Sequence, residues 1–144
     1  MIRRYLNTAL LYAVFAMIFG VFYREFTKFH RFTEKTNLSV MHTHYFLLGM
    51  FFFLILMLIE KNIPFSKEKN TEKVVITYQI GLNITGIGLF LRGLTQVLET
   101  ELSRAMDASI SGIAGIGHIL MGISLILLLL TIRKQTGQNE VLYK

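Results

Sequence analysis

The chain has 144 residues, of which 53% are hydrophobic and 17% charged, and its formal net charge is +6. Soluble domains normally carry about 25% charged residues, and the mean hydropathy here is +0.51. The absence of cysteine excludes a disulfide framework, a thiolate metal site and covalent attachment of a c-type haem. The composition therefore indicates an integral membrane protein without a soluble domain.

Four stretches of the chain contain no Asp, Glu, Lys or Arg. They are 5–23, 36–59, 74–91 and 108–132. Each is long enough to cross a bilayer, which takes roughly 17–25 mostly apolar residues. We therefore predict an all-α integral membrane protein, an up-down bundle that forms one domain over residues 1–144. The expected helices are about 5–25, 38–60, 74–98 and 108–132.

The basic residues lie beside the apolar stretches, where they determine orientation. Nine Lys and Arg fall on the side of the two termini and the 60–73 loop, and six fall on the other side. The nine are Arg3, Arg4, Lys61, Lys67, Lys69, Lys73, Arg133, Lys134 and Lys144. We therefore expect a plasma-membrane protein with both termini in the cytoplasm. The bilayer accounts for the positive charge, so no nucleic-acid partner is expected.

Two histidines, His42 and His44, stand near the outer end of the second predicted helix. Ionisable residues inside a membrane usually face the bundle interior or a cavity. At about 100° per residue the two side chains point roughly 200° apart, so they cannot bind one metal ion from the same side. Either each serves a different site, or one of them is interfacial and only hydrogen-bonded.

The fourth predicted helix carries His118, and the residues on its face are mostly small. They are Ser111, Gly115, Met121 and Gly122. Small residues at this spacing commonly let helices pack closely, but the same groove could admit the edge of a flat macrocycle. Asp107 is expected to cap this helix, which places His118 near the depth of His44.

The third predicted helix has a polar face that includes Arg92. Its other members are Tyr78, Thr85 and Gln96, with Gly81 and Gly88 beside them. An arginine at membrane depth needs an anion or carbonyl groups around it. A haem propionate suits the bidentate guanidinium, and Glu99 or the lipid headgroups are the alternatives.

The histidines suit a b-type haem best, because neutral imidazole is a usual axial ligand. No nucleophile with a neighbouring base and acid can be recognised in the sequence. Whether the protein is an enzyme is left open. An alternative is copper or zinc at the outer face, bound by Met41, His42, His44 and His30. A third possibility is a cofactor-free structural or accessory subunit, in which the histidines serve packing.

Three stretches make the whole chain resemble a family of small four-span proteins of Gram-positive bacteria with unknown function. They are 22–28, His42-Thr43-His44 with Gly49, and 110–118. This resemblance implies a membrane location and no particular chemistry.

His42-Thr43-His44-Tyr45 and the Leu and Gly residues that follow resemble the tenth helix of haem–copper oxidase catalytic subunits. In that family the first histidine ligates the high-spin haem and the second the low-spin haem, from opposite sides of the helix. The resemblance implies that His42 and His44 are axial ligands, with Gly49 in the cofactor site. It also implies that one chain corresponds to one four-helix arc of the oxidase subunit, and that three copies would form a ring.

We therefore expect a homo-oligomer, such as a trimer, that binds haem b and acts in electron transfer or gas binding. His42 and His44 are the expected ligands, and Arg92 is the expected propionate partner. His118, beside Gly115, is the reserve ligand and could clamp one haem together with His44. The redox partner is not identified by the sequence, and a quinol is one candidate.

Overall fold

The computed structural model describes residues 1–142, with side chains described through residue 137, so Lys144 lies outside that range. Four helices are long and apolar enough to cross a membrane. We number them α1 (Ile2–Phe29), α2 (Leu38–Asn62), α3 (Thr71–Val97) and α4 (Arg104–Leu142). A single 3-10 turn at Phe65–Lys67 interrupts the α2–α3 loop, and the described residues contain no strand. The predicted all-α, four-span fold is confirmed.

Most of the helices extend beyond the charge-free stretches that predicted them. The largest difference is at α4, which was expected to end near 132 and continues to Leu142. The extension contains Lys134 and Gln135, and both residue types are good helix formers. Both side chains bond the Glu68 carboxylate in the α2–α3 loop. The end of α4 is thereby attached to the neighbouring loop.

A π-helical segment, Tyr45–Phe51, lies inside α2, between α-helical turns on either side. Buried residues recur here every four positions, at Met41, Tyr45, Gly49 and Phe53. In an α-helix of 3.6 residues per turn this spacing would drift around the axis. The wider π turn keeps all four on one side. Such segments are frequent at functional sites, and this one begins immediately after His44.

The helices run up and down as expected, but α4 does not complete a closed four-helix bundle. α2 packs against both α1 and α3, and side chains of α1 and α3 meet at Phe19 and Phe90 and at Tyr12 and Asn83. α4 packs along α3 and makes no comparable contact with α1 or α2. The core of the three-helix part is rich in aromatic rings. It includes Tyr5, Tyr12, Tyr45, Phe53 and Tyr78. The four helices therefore form an open arrangement, with one side of α4 uncovered by the chain.

Small residues form the contact between α3 and α4. A Cβ atom at Gly81 would lie 2.7 Å from the backbone nitrogen of Met121, and one at Gly88 would lie 2.7 Å from Cβ of Ala114. The buried residues of α4 follow one stripe at spacings of three and four. They are Gly117, Met121, Ser124 and Leu128. Met121, assigned from the sequence to the face of His118, therefore belongs to the α3 contact.

The start of α2 and the end of α3 are joined by two hydrogen bonds. The Thr36 hydroxyl donates to the Gly93 carbonyl at 3.1 Å, and the Asn37 backbone N–H donates to Oε1 of Gln96 at 2.7 Å. These bonds hold the start of α2 against α3. The two histidines follow about one turn further along α2.

Candidate functional site

His44 of α2 and His118 of α4 lie next to each other. Their imidazole centroids are 6.3 Å apart and the ring planes are nearly perpendicular, at 89°. Both helices run in the same direction and place these residues at similar depth, as expected from an up-down order. The structure thus brings together one favoured ligand, His44, and the reserve ligand, His118.

Each of these two rings has one nitrogen engaged by its own helix. Nδ1 of His44 lies 2.9 Å from the Val40 carbonyl oxygen, and Nδ1 of His118 lies 2.8 Å from that of Ala114. A carbonyl oxygen only accepts, so Nδ1 must carry the hydrogen. In the neutral rings, Nε2 then keeps its lone pair. Metal-ligating histidines almost always donate their other N–H in this way.

The distance between the rings is also suitable for a shared metal ion. Two imidazoles that bind one ion at about 2.0–2.1 Å per nitrogen place their ring centroids roughly 6 Å apart. The observed separation is 6.3 Å. His44 is half-buried, and His118 is exposed on the open side of α4. The pair is therefore reachable from the membrane.

His42 faces a different helix, as the 100° spacing predicts. Its Cβ would lie 3.6 Å from a Cβ atom at Gly20 of α1. Its Nδ1 atom is buried and has no hydrogen-bond partner among the described residues. Buried polar atoms are usually hydrogen-bonded, so this nitrogen stands out. The structure does not bring His42 to the His44–His118 pair.

Arg92 is bound by α4. Its guanidinium pairs with the Asp107 carboxylate and donates to the Asp107 carbonyl at 3.1 Å and to the Ser111 hydroxyl at 2.7 Å. Asp107 therefore serves as an ion-pair partner. The cap expected of it is provided instead by Ser103, whose hydroxyl accepts the Met106 N–H at 3.3 Å.

A cleft of about 570 Å³ opens around Arg92 where α3 ends and α4 begins. Gln96, Glu99, Arg104 and Asp107 also line it. Ser111, bonded to Arg92, precedes His118 by seven residues, or roughly 10 Å along the helix. Arg104 was not predicted to be a site residue, although the charges crowded between 99 and 107 were a signal for a site there.

The two glycines expected in a cofactor site have different surroundings. A Cβ atom at Gly49 would lie 2.6 Å from Cγ of Tyr12, so Gly49 serves the packing of α1 on α2 and the space beside it is filled. A Cβ atom at Gly115 would have no neighbour within 4 Å. Gly115 therefore leaves open space on α4, one turn before His118, and does not serve packing within the chain.

The residues proposed for an outer-face metal site lie apart. Among the described residues, no group of three or more His, Asp or Glu side chains is placed to hold a metal ion. His42 packs at Gly20, ten residues before His30, which corresponds to roughly 15 Å along α1. Met41 is 1% exposed and lies in the core. The set of His30, Met41, His42 and His44 is thus not assembled.

A family model described as "Protein of unknown function (DUF2871)" matches residues 2–135 of the chain. No curated protein and no solved structure matches it. The match agrees with the resemblance to small four-span proteins of unknown function, and function must be inferred from the site itself.

Proposed function

The chain belongs to the DUF2871 family of proteins of unknown function, and we propose that it is a b-type haem protein of the membrane whose iron lies between His44 and His118. The observation that carries this proposal is the pair itself. Two imidazoles from different helices are 6.3 Å apart, and both have Nδ1 bound to a carbonyl. With both axial positions taken by histidine, the function that follows is electron transfer.

Haem suits this pair better than a bare metal ion does. A structural zinc ion takes four protein ligands, whereas haem supplies four nitrogens itself and needs only axial ligands. The flank beside His118 is open at Gly115, which gives room for the edge of a flat ring. The surrounding exposed residues of α4, such as Ile116 and Ile119, are apolar, as a b-type haem requires.

Arg92 is the proposed partner of a haem propionate. It lies towards the outer surface from His118 and is held by Asp107 and Ser111 of α4. A propionate carboxylate would share the guanidinium with Asp107, since arginine offers five N–H donors. Arg92 would therefore help to orient a bound haem through its propionate.

His42 is the candidate for a second site. Its unpartnered Nδ1 and its direction towards α1 support a ligand role separate from the first pair. By the resemblance to haem–copper oxidases, His42 would bind a second haem. Because its imidazole ring packs against α1 of the same chain at Gly20, α1 would have to move aside to admit it. The internal site predicts one haem per chain, and the second site raises that number.

Two other functions have weaker support. A copper site based on His42 and His44 would have to recruit ligands that the chain does not gather there. A cofactor-free accessory subunit would leave His118 exposed in the membrane without a role, at the energetic cost that polar groups incur there.

The test is a reduced-minus-oxidised absorption spectrum of the detergent-purified protein, expressed with ample haem, together with metal analysis. We expect a b-type α band that is lost in His44→Ala and in His118→Ala. His30→Ala is the matched control, because the His30 ring is also bonded to its own helix, at Phe26. A spectrum unchanged by His118→Ala would refute the internal site, and a featureless wild-type spectrum would refute haem binding.

His42→Ala distinguishes the two haem sites. If only the internal site exists, this variant keeps the wild-type haem content per chain. If His42 binds a second haem, the content falls while the remaining spectrum still depends on His118.

A further inference from the structure

We infer that the outer end of the α3–α4 hairpin binds a membrane quinol, which donates electrons to the haem. The electron acceptor in this inference rests on the proposed function, but the binding of the quinol does not. Two cavities adjoin at this end of the hairpin, and the charged one lies about two helical turns from His118.

The two cavities differ in chemistry. The cleft around Arg92 is polar, as described above. A second cavity of about 560 Å³ is lined by Leu91, Leu94, Leu98, Met106 and Ile110, among others, and by no charged residue. Thr95 and Leu102 line both cavities, so the two adjoin. Together they suit a molecule with a polar head and an apolar tail, placed where a span reaches the membrane surface.

The charges of the polar cleft favour an uncharged head. Two arginines, Arg92 and Arg104, are balanced there by two carboxylates, Glu99 and Asp107. Arg92 is already paired with Asp107. A free phosphate head would compete with these carboxylates for the arginines, without the axial ligation that would hold a haem propionate beside Arg92. A head with hydroxyl groups needs only hydrogen bonds. A quinol has such a head, with two hydroxyls, and commonly a long apolar tail.

Glu99 is the group best placed to accept a quinol proton. It lines the cleft and forms no ion pair among the residues that the structure describes. Its backbone has φ of 50°, a left-handed conformation in which glycine is the usual residue after a helix. A glutamate at this position is therefore costlier for the fold than glycine would be.

The reaction balances with the haem as the only oxidant. One quinol loses two electrons and two protons and becomes the quinone. The two electrons would reduce two ferric haems, one in each of two protein molecules. The protons leave through Glu99 to the water outside the cleft. Ser111 bonds Arg92 at the cleft and lies two turns from His118, so donor and acceptor are close.

The binding test uses a photoreactive azido-naphthoquinone with a short isoprenoid tail, irradiated with the full-length protein in lipid nanodiscs. Labelled peptides are mapped by mass spectrometry. We expect labelling within 91–110 in the wild type and also in His44→Ala, which is haem-free by the proposal. Labelling spread over all four helices, or displaced by phospholipid but not by unlabelled naphthoquinone, would overturn the inference.

The reaction test uses the reduced naphthoquinol as donor and follows haem reduction. We expect Glu99→Gln to slow the reaction at least tenfold, while dithionite still reduces the haem completely. Glu101→Gln is the matched control, because Glu101 is an exposed residue of the same loop that does not line the cleft. Equal rates in the two variants would refute the role of Glu99.

Glu99→Gly separates function from folding. Glycine relieves the left-handed backbone, so this variant should unfold at the same or a higher temperature than the wild type and still lose quinol-driven reduction. If it retains the wild-type rate, the carboxylate has no part in the reaction. Absence of an α band in the wild type would contradict the haem proposal. The photolabelling result would still decide whether a quinol binds.

Discussion

Tyr12 of α1 occupies the space that a side chain at Gly49 of α2 would need, since a Cβ atom at Gly49 would lie 2.6 Å from Cγ of the tyrosine. The Tyr12 hydroxyl accepts a hydrogen bond of 3.0 Å from Nδ2 of Asn83 on α3. Its ring stacks on Tyr45 with a centroid distance of 5.8 Å. One tyrosine thus connects three helices.

Gly49→Ala should destabilise the protein strongly. The new methyl group would overlap Tyr12, and overpacking of a well-packed core typically costs about 1–3 kcal/mol. Thermal unfolding in detergent measures the loss. Gly112→Ala is the matched control, because a Cβ atom there meets nothing within 4 Å and alanine is the better helix former. Equal unfolding temperatures for the two variants would contradict the packing described here.

The hydrogen bond between Tyr12 and Asn83 should contribute modestly to stability. Interhelical hydrogen bonds in membranes average about 0.6 kcal/mol in double-mutant cycles. Asn83 also donates to the Gln79 carbonyl of its own helix at 2.8 Å, so it keeps a partner when Tyr12 is changed. A cycle of Tyr12→Phe and Asn83→Ala, followed by reversible unfolding, should give a coupling energy of this size. A coupling near 3 kcal/mol would mean that the pair carries more of the core than we infer.

Asp107→Asn should have a small, salt-dependent effect. The Arg92 and Asp107 side chains are 21% and 55% exposed, and such ion pairs are worth roughly 0.2–1 kcal/mol. Salt screens exposed charges, so the difference in unfolding temperature between variant and wild type should shrink as salt is raised. A difference that grows with salt would contradict the electrostatic origin.

Orientation can be tested directly, because the chain has no cysteine that would need removal. By the positive-inside rule, a cysteine in place of Lys35 should react with a membrane-impermeant maleimide on intact cells. A cysteine in place of Lys69 should react only after the cells are opened. Labelling of Lys69→Cys alone on intact cells would reverse the topology, and with it the side of the membrane on which the His44–His118 pair lies.

The number and position of the helices followed from the sequence because charge marks the ends of spans so clearly. The arrangement of α4 did not. In a membrane, a residue that faces lipid and one that faces protein are equally apolar, so periodicity does not distinguish Ile116, which is exposed, from Leu128, which is buried. Only the small residues indicate a contact, and α4 has them on two faces. Gly117 lies in the contact with α3, whereas Gly115 has no neighbour there.

The sequence indicated the candidate ligand residues better than it indicated which of them lie together. His44 and His118 were both recognised as ligand-type side chains, and their common depth followed from the up-down order. The resemblance to a helix of another family favoured His42 and His44 as ligands of two different haems, and the clamp of His44 with His118 was only the reserve arrangement, because a short motif carries no information on the partner helix. Arg92 was singled out for its need of an anion, which Asp107 meets within the chain.

The π-helical segment makes the direction of His44 depend on one residue of chain length. The wide turn contains one extra residue, which rotates the part of α2 before Tyr45–Phe51 relative to the part after it. Deleting a single residue from this segment would let it close into a regular α-helix, turning the start of α2 by about 100°. His44 would then leave His118. The site is therefore encoded by an insertion as much as by its ligands, and a shortened α2 would keep both histidines and lose their pairing.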